Sequence, residues 1–235
     1  MLDLIAFDAD DTLWHNETFY TAAKERFKHI LSRYQPVEVI APYLDQVEIQ
    51  NIQWYGYGIK SFALSMVETA SVLSNGEVRG REIDEILAIV KDMLSMEVQL
   101  LEGVQETLAW LAEHFPLMLI TKGDLFEQTR KIERSGLARY FRYIEVVADK
   151  TPAGYRALFA KYGLPPQRVL MVGNSKRSDI YPILALGGQA VYIPYESTWQ
   201  HENTVEEAMG KSFLEIEHFA ELPGVVERLT SADPD

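Results

Sequence analysis

The chain has 235 residues, 47% hydrophobic and 11% aromatic, enough for a sizeable packed core in one large domain or in a core plus a modest second module. Its 22 basic residues face 35 acidic ones, a net charge of −13, which argues against nucleic acid as a partner because phosphate backbones are met by basic faces. There is no cysteine, so disulfides, thiolate catalysis and thiolate-ligated zinc are excluded. No apolar run approaches the ~20 residues that span a bilayer, and no signal-peptide pattern follows Met1. A soluble, cytoplasmic protein without a membrane partner is expected.

The first element is Leu2–Phe7, a short apolar run that reads as a buried strand. It runs into Asp8-Ala9-Asp10-Asp11-Thr12-Leu13. Carboxylates two residues apart at such a point are costly if buried without a cation or partner, and are ordinary if they are solvated turn aspartates. From Trp14 to Glu102 the periodicity is helical: Glu17–Tyr34, Val37–Gln50, Ile59–Leu73 and Arg81–Met96, punctuated by Pro36, Gly56, Gly58 and Asn75-Gly76. Residues 14–102 therefore read as a helical module inserted after the first strand, with residues 1–13 and 103–235 forming the core. Beside a reactive loop such an insert could be a lid.

From Val104 onward helix and strand alternate. Val104–Phe115 is helical, Pro116 stops it, and Leu117–Ile120 is a buried strand. Leu125–Arg134 is a helix closed by Ser135-Gly136. Tyr143–Val147 is a strand, Pro152–Tyr162 a helix with proline in its first turn, and Arg168–Val172 a strand. Asp179–Leu186 is a helix, Gln189–Ile193 a strand, Phe213–Ile216 an edge strand, Ala220–Leu229 a last helix, and Ser231–Asp235 a tail. This alternation predicts an α/β fold, a parallel sheet covered on both faces, with ligands at the carboxyl ends of its strands.

Those strand ends carry Asp8, then Thr121-Lys122-Gly123-Asp124, then Ala148-Asp149-Lys150, then Gly173-Asn174-Ser175 through Asp179. Singly each has a plainer reading: Thr121 or Asp179 caps a helix, and Lys150 or Lys122 lies in solvent. Together they form a set suited to phosphoryl transfer. Asp8, nearest the strand end, can attack phosphorus, and Asp10 can protonate the leaving alcohol and then deprotonate water. Two anions facing a phosphate call for a hard cation, and Mg²⁺ suits Asp8 and Asp10, with Asn174 and Asp179 as further ligands or their supports. Thr121 and nearby backbone N–H groups can hold phosphoryl oxygens. Lys150 can neutralise the aspartyl group and the phosphate, and Lys122 can add positive charge.

On these residues the sequence resembles the haloacid dehalogenase superfamily in its phosphatase form. Asp8-Ala9-Asp10-Asp11-Thr12 is similar to the first signature, Thr121 to the second, Lys150 to the third, and Gly173-Asn174-Ser175 through Asp179 to the fourth. The resemblance covers Leu2 to about Pro194, and the helical insert stands where that family carries a helical cap. It implies a Rossmann-like core, an aspartyl-phosphate intermediate on Asp8, Mg²⁺ dependence, and Asp10 as acid/base with its backbone carbonyl on the metal. Two positions depart from it. Asn174 stands where the fourth signature usually has Asp, which leaves open whether Asn174 or Asp179 ligates directly, and Lys122 stands where a small or amide residue commonly follows Thr121.

The expected partner is a small phosphorylated metabolite. Trp14, His15, Trp54, Tyr55 and Tyr57 are candidates for lining its pocket, with the Gly56 and Gly58 loop allowing close approach, although Trp54 and Tyr55 read more readily as core packing. The competing activities are a metal-independent 2-haloacid dehalogenase and a non-catalytic phospho-accepting or sensor protein. The resemblance implies that true dehalogenases generally lack an aspartate at the position of Asp10.

Overall fold

A computed structural model describes residues 2–197, 199, 202 and 212–231. Its elements run β1 (Leu4–Phe7), α1 (Glu17–Leu31), α2 (Val37–Tyr55), α3 (Ile59–Leu73), α4 (Gly80–Ser95), α5 (Val104–His114), β2 (Leu117–Lys122) and α6 (Leu125–Ser135). They continue with β3 (Tyr143–Val147), α7 (Pro152–Lys161), β4 (Val169–Gly173), α8 (Tyr181–Ala185), β5 (Gln189–Tyr192), β6 (Leu214–Glu215) and α9 (Leu222–Ser231). The chain divides into two compact units, one of 1–17, 98–122 and 129–235, the other of 18–97 and 123–128. The last boundary, between 128 and 129, falls inside α6.

The first unit is a Rossmann-like α/β layer built on a parallel sheet of order β3-β2-β1-β4-β5-β6. Its central strands β1 and β4 are apolar and buried throughout because both faces are covered, whereas the edge strands β3 and β6 carry Glu145 and Glu215 and are not fully buried. Leu4, Ala6, Met118, Ile120, Val169 and Met171 point to one face and pack with Tyr155 and Phe159 of α7 and Ile183 of α8. The alternate residues Ile5, Phe7, Leu117, Leu119, Leu170 and Val172 pack with Leu108 of α5, Ile132 of α6 and Val226 of α9. Strand order reverses at β1, which pairs with β2 on one side and β4 on the other. The crevice outside such a reversal is where ligands bind in open α/β sheets, and Asp8 is the first residue beyond β1.

The chain leaves and re-enters this unit along paired segments. Trp14 bridges Leu100, His15 N donates to Gln99 O at 3.0 Å, and Leu101 N donates to Leu13 O at 3.0 Å. Both ends of the helical insertion are thereby fixed within a few residues of Asp8 and Asp10.

The second unit packs α1–α4 around Phe27, Leu31, Leu44, Phe62, Met66, Ile86 and Ile89. Some of its buried polar groups are partnered: Lys24 pairs with Asp45 at 2.6 Å and Glu48 at 3.1 Å, and Asn51 donates to Ser65 at 3.1 Å and Glu68 at 2.9 Å, whereas the buried Thr69 hydroxyl has no hydrogen-bond partner among the described residues. The segment 123–128 joins it through Lys60–Asp124 at 2.8 Å and through Glu127, which accepts from Ile59 N at 2.8 Å.

Several elements differ from the sequence-based expectation: α1 stops at Leu31 rather than Tyr34, β2 runs to Lys122 rather than Ile120, β6 is only Leu214–Glu215, and three more have an identifiable cause or form. Helix α2 runs to Tyr55 rather than Gln50, because nothing breaks it before Gly56, whose φ of 69° suits glycine and whose N–H caps Ile52 O. The expected helix Asp179–Leu186 is a π-helical turn, Lys176–Ile180, continuing into α8, and Ile180 N reaches back five residues to Ser175 O. The last helix starts at Leu222, after a 3₁₀ turn over Phe219–Glu221, and ends at Ser231. The rest of the expected tail, 232–235, lies outside the described residues. Among the described residues no helix is long and apolar enough to cross a membrane.

Candidate active site

Strand β1 ends by delivering Asp8 into the crevice: its N–H donates to Val172 O at 2.9 Å, extending the β1–β4 ladder by one residue. Buried Lys150, from the loop after β3, pairs with Asp8 Oδ1 and reaches Asp179 Oδ1 at 2.8 Å. Its side chain is 1% exposed and that of Asp179 is fully buried. Burial alone would push the lysine pKa down, but Asp179 and Asp8 more than offset it and the ammonium is stabilised. Burial likewise drives Asp179 up, against the opposing pull of Lys150. Two acidic side chains thus share one ammonium in this buried cluster.

Thr12 closes the other side of Asp8. Its hydroxyl lies 3.0 Å from Asp8 Oδ2 and 3.2 Å from Asn174 Oδ1, and accepts from Asn174 N at 3.1 Å. With one hydrogen it can donate to only one of those oxygens at a time. Asp11, with φ of 62°, is a helix cap rather than a reacting group: it accepts from Asn16 N at 2.8 Å and from Glu17 N at 3.0 Å. Burial raises its pKa to about 7.

Asp10 has partners of its own. Trp14 Nε1 donates to its Oδ1 at 2.7 Å, and Lys131 Nζ of α6 lies 2.9 and 3.2 Å from its two oxygens. Trp14 is 1% exposed and belongs to the core of the first unit. It is therefore an anchor for Asp10 and not an aromatic of the helical module, as the sequence had suggested.

The loop after β4 wraps around Asp179. Gly173 has no side chain because a Cβ there would lie 2.3 Å from Asp179 Oδ2. Ser175 N donates to that oxygen at 3.0 Å. Beyond it Glu202 accepts from Ser175 Oγ at 2.5 Å and Ser178 Oγ at 2.6 Å, and pairs with Lys122, which also donates to Ser178 Oγ at 2.9 Å. The positive charge expected of Lys122 is thus met by a carboxylate of the same chain. Burial raises the Glu202 pKa, yet Lys122 and the two serine hydroxyls prevail and hold it at about 2. Against an ordinary value of 4.5, this contribution to stability is complete above pH 4.5 and is lost as pH falls toward 2, amounting to about 3 kcal/mol. Glu202→Gln should therefore be less stable than the wild type at pH 7, and the gap should narrow on acidification. Urea denaturation at pH 7 and pH 3 checks this, and a gap independent of pH would contradict it.

The structure brings Asp8, Lys150, Asp179, Asn174 and Thr12 into contact and places Thr121, buried, at the end of the neighbouring strand β2. The three carboxylates among the four expected metal ligands do not converge. The side chain of Asp10 is turned to Trp14 and Lys131, and both Asp179 oxygens are engaged by Lys150 and Ser175 N. Among the described residues no group of three or more His, Asp or Glu forms a cage for a metal ion. Asp8 and Asn174, which share the Thr12 hydroxyl, do offer adjacent hard oxygens, a donor set that suits a magnesium ion completed by water and phosphate. Trp54 and Tyr57 lie in the second unit. Trp54 is 73% and Tyr55 52% exposed, so neither is core packing: α2 outruns its buried stripe, which ends at Asn51. Thr12, Lys131, Ser178 and Glu202 were not singled out from the sequence. Thr12 and Ser178 had a signal, their places in the motifs that open with Asp8 and with Gly173.

A family model described as haloacid dehalogenase-like hydrolase matches residues 2–187. A haloacid dehalogenase-like family hydrolase from Xanthomonas campestris is 38% identical, with 98% of this chain and 92% of that one covered, at a TM-score of 0.87. A hydrolase of the same superfamily from Bacillus subtilis, bound to magnesium, is 16% identical over 96% of this chain and 98% of that one, at 0.67. A 2-haloacid dehalogenase from Pseudomonas syringae pv. tomato is 20% identical over 97% and 100%, at 0.66. Among curated proteins nothing matches the sequence.

Proposed function

Since the chain belongs to the haloacid dehalogenase-like hydrolases, we propose that it is a magnesium-dependent phosphatase of a small phosphorylated metabolite, acting through an aspartyl-phosphate on Asp8. The observation that carries this reading is Asp10: a second carboxylate stands two residues beyond the nucleophile position, held by Trp14 and Lys131. A dehalogenase has no alcohol to protonate, whereas phosphate-ester cleavage needs an acid and then a base.

In the first half-reaction an Asp8 carboxylate oxygen attacks phosphorus. The ester P–O bond breaks, its electron pair goes to the leaving oxygen, and Asp10 supplies the proton. In the second, water attacks phosphorus, its proton passes to Asp10, and the acyl-phosphate bond breaks to return the electron pair to Asp8. Lys150 offsets the charge of Asp8 and Asp179 throughout. Thr121 and the backbone N–H groups after β2 are assigned to the phosphoryl oxygens. Asp8, Asn174 and the Asp10 backbone carbonyl would hold magnesium, which when bound withdraws charge from the phosphoryl group.

The test is hydrolysis of p-nitrophenyl phosphate with Mg²⁺ and then with EDTA. Turnover that EDTA abolishes supports the reading. Chloride release from 2-chloropropionate, insensitive to EDTA and without phosphatase activity, would replace it with the dehalogenase reading.

A further inference from the structure

The grip on Asp10 extends beyond the residues named so far. An ammonium has three donors, and Lys131 Nζ has three acceptors within reach: Asp10 Oδ1 at 2.9 Å, Asp10 Oδ2 at 3.2 Å and Asn16 Oδ1 at 2.8 Å. The Lys131 side chain is 18% exposed and that of Asp10 22%, so the pair is shielded from solvent more than a surface ion pair is. Trp14 adds its indole N–H to the same carboxylate oxygen. Asn16 is itself fixed, its N–H donating to Asp11 Oδ1 at 2.8 Å. The carboxylate is thus oriented from two sides, by the core through Trp14 and by α6 through Lys131. Since α6 directly follows the β2 end that carries Thr121, one helix ties the second signature of the sequence to the first.

We propose that Lys131 is a positioning residue for Asp10, holding its carboxylate in the orientation from which it exchanges protons with the leaving group and with water. This rests on the phosphatase reading for the purpose of the orientation, though not for the orientation itself. Lys131 gives and takes no proton itself in this scheme; it acts through the Asp10 carboxylate that it holds. A misplaced acid/base costs on the order of 10²-fold in rate, because proton transfer needs the two heavy atoms within hydrogen-bond reach. The alternative, a lysine that merely stitches α6 to the loop after β1, predicts lost stability without a selective loss of turnover.

Two measurements decide it. The first reads the indole N–H resonance of Trp14, assigned by its disappearance in Trp14→Phe, in a ¹H–¹⁵N spectrum of the full chain. In Lys131→Met this signal should shift and exchange faster with water, as the Asp10 carboxylate is freed, while Lys131→Arg should leave it near its wild-type position. An unmoved signal in Lys131→Met overturns the proposal.

The second is a double-mutant cycle on p-nitrophenyl phosphate. Lys131→Met should lower kcat on the order of 10²-fold with KM little changed, and Lys131→Arg should restore most of it. The double variant Asp10→Asn/Lys131→Met should be no slower than Asp10→Asn alone. Additive losses, or an effect confined to KM, overturn the proposal. A wild-type protein that hydrolyses no phosphomonoester overturns the phosphatase reading instead, and the indole signal still decides whether Lys131 orients Asp10.

Discussion

Asp8→Asn should abolish turnover while leaving the protein as stable as the wild type or more so. The amide keeps the size of the carboxylate but cannot form the acyl-phosphate, so kcat should fall by about four orders of magnitude or more, as when other covalent nucleophiles are removed. The stability half of the expectation comes from the charge count. Asp8, Asp179 and Lys150 are all buried, and two acidic groups compete for one ammonium. Neutralising Asp8 leaves Lys150 paired with Asp179 alone, a balanced couple at 2.8 Å. Steady-state kinetics and thermal unfolding on the same preparation check both halves. Turnover near wild type would remove Asp8 from the nucleophile role, and a large fall in melting temperature would refute the charge count.

Lys150→Met should behave in the opposite way, losing both activity and stability. Methionine fills most of the lysine's volume, so packing is nearly kept and the loss is mainly electrostatic. Asp8 and Asp179 would then face each other with no counter-ion among the groups that hold them here, one of them fully buried. Removing one partner of a buried pair typically costs 3–5 kcal/mol, or roughly that. Urea unfolding at pH 7 measures it. A deficit below about 1 kcal/mol, the range of exposed pairs, would show that the cluster is better solvated than its burial indicates. Asp8→Asn/Lys150→Met should recover part of the lost stability, since it removes one of the two stranded anions.

The sheet could be read from the sequence because its strands are short apolar runs separated by helical periods, and each run feeds both faces of a buried layer. Asp8, Lys150 and Asp179 were legible for a related reason: strand ends in a parallel sheet converge, so a polar residue just past an apolar run has a foreseeable position. What stayed hidden has no such rule. Lys131 reaches Asp10 across 121 positions of sequence from the middle of an amphipathic helix, where a lysine is ordinarily solvated. Glu202 reaches Lys122 across 80 positions. Trp54 misled because aromatic character predicts burial only where a neighbouring element exists to cover it, and α2 runs on past its last buried residue. Chain order puts the segment 123–128 with the core, yet Lys60 and the Ile59 N–H gather it into the helical unit.

The Lys150 cluster also bears on how the sheet is assembled. Its three members come from the end of β1, the loop after β3 and the turn after β4, so the ammonium meets its carboxylates only when strands scattered along the chain are in place. Strands as uniformly apolar as β1 and β4 offer little of their own to distinguish one alignment from another, because slipping by a residue exchanges one greasy side chain for the next. A slipped β1 would carry Asp8 about 3.3 Å along the strand axis, away from Lys150 and the Thr12 hydroxyl. It would strand charge in a place that water does not reach. The charges clustered beyond these strand ends would therefore penalise misaligned sheets that hydrophobic burial alone would tolerate.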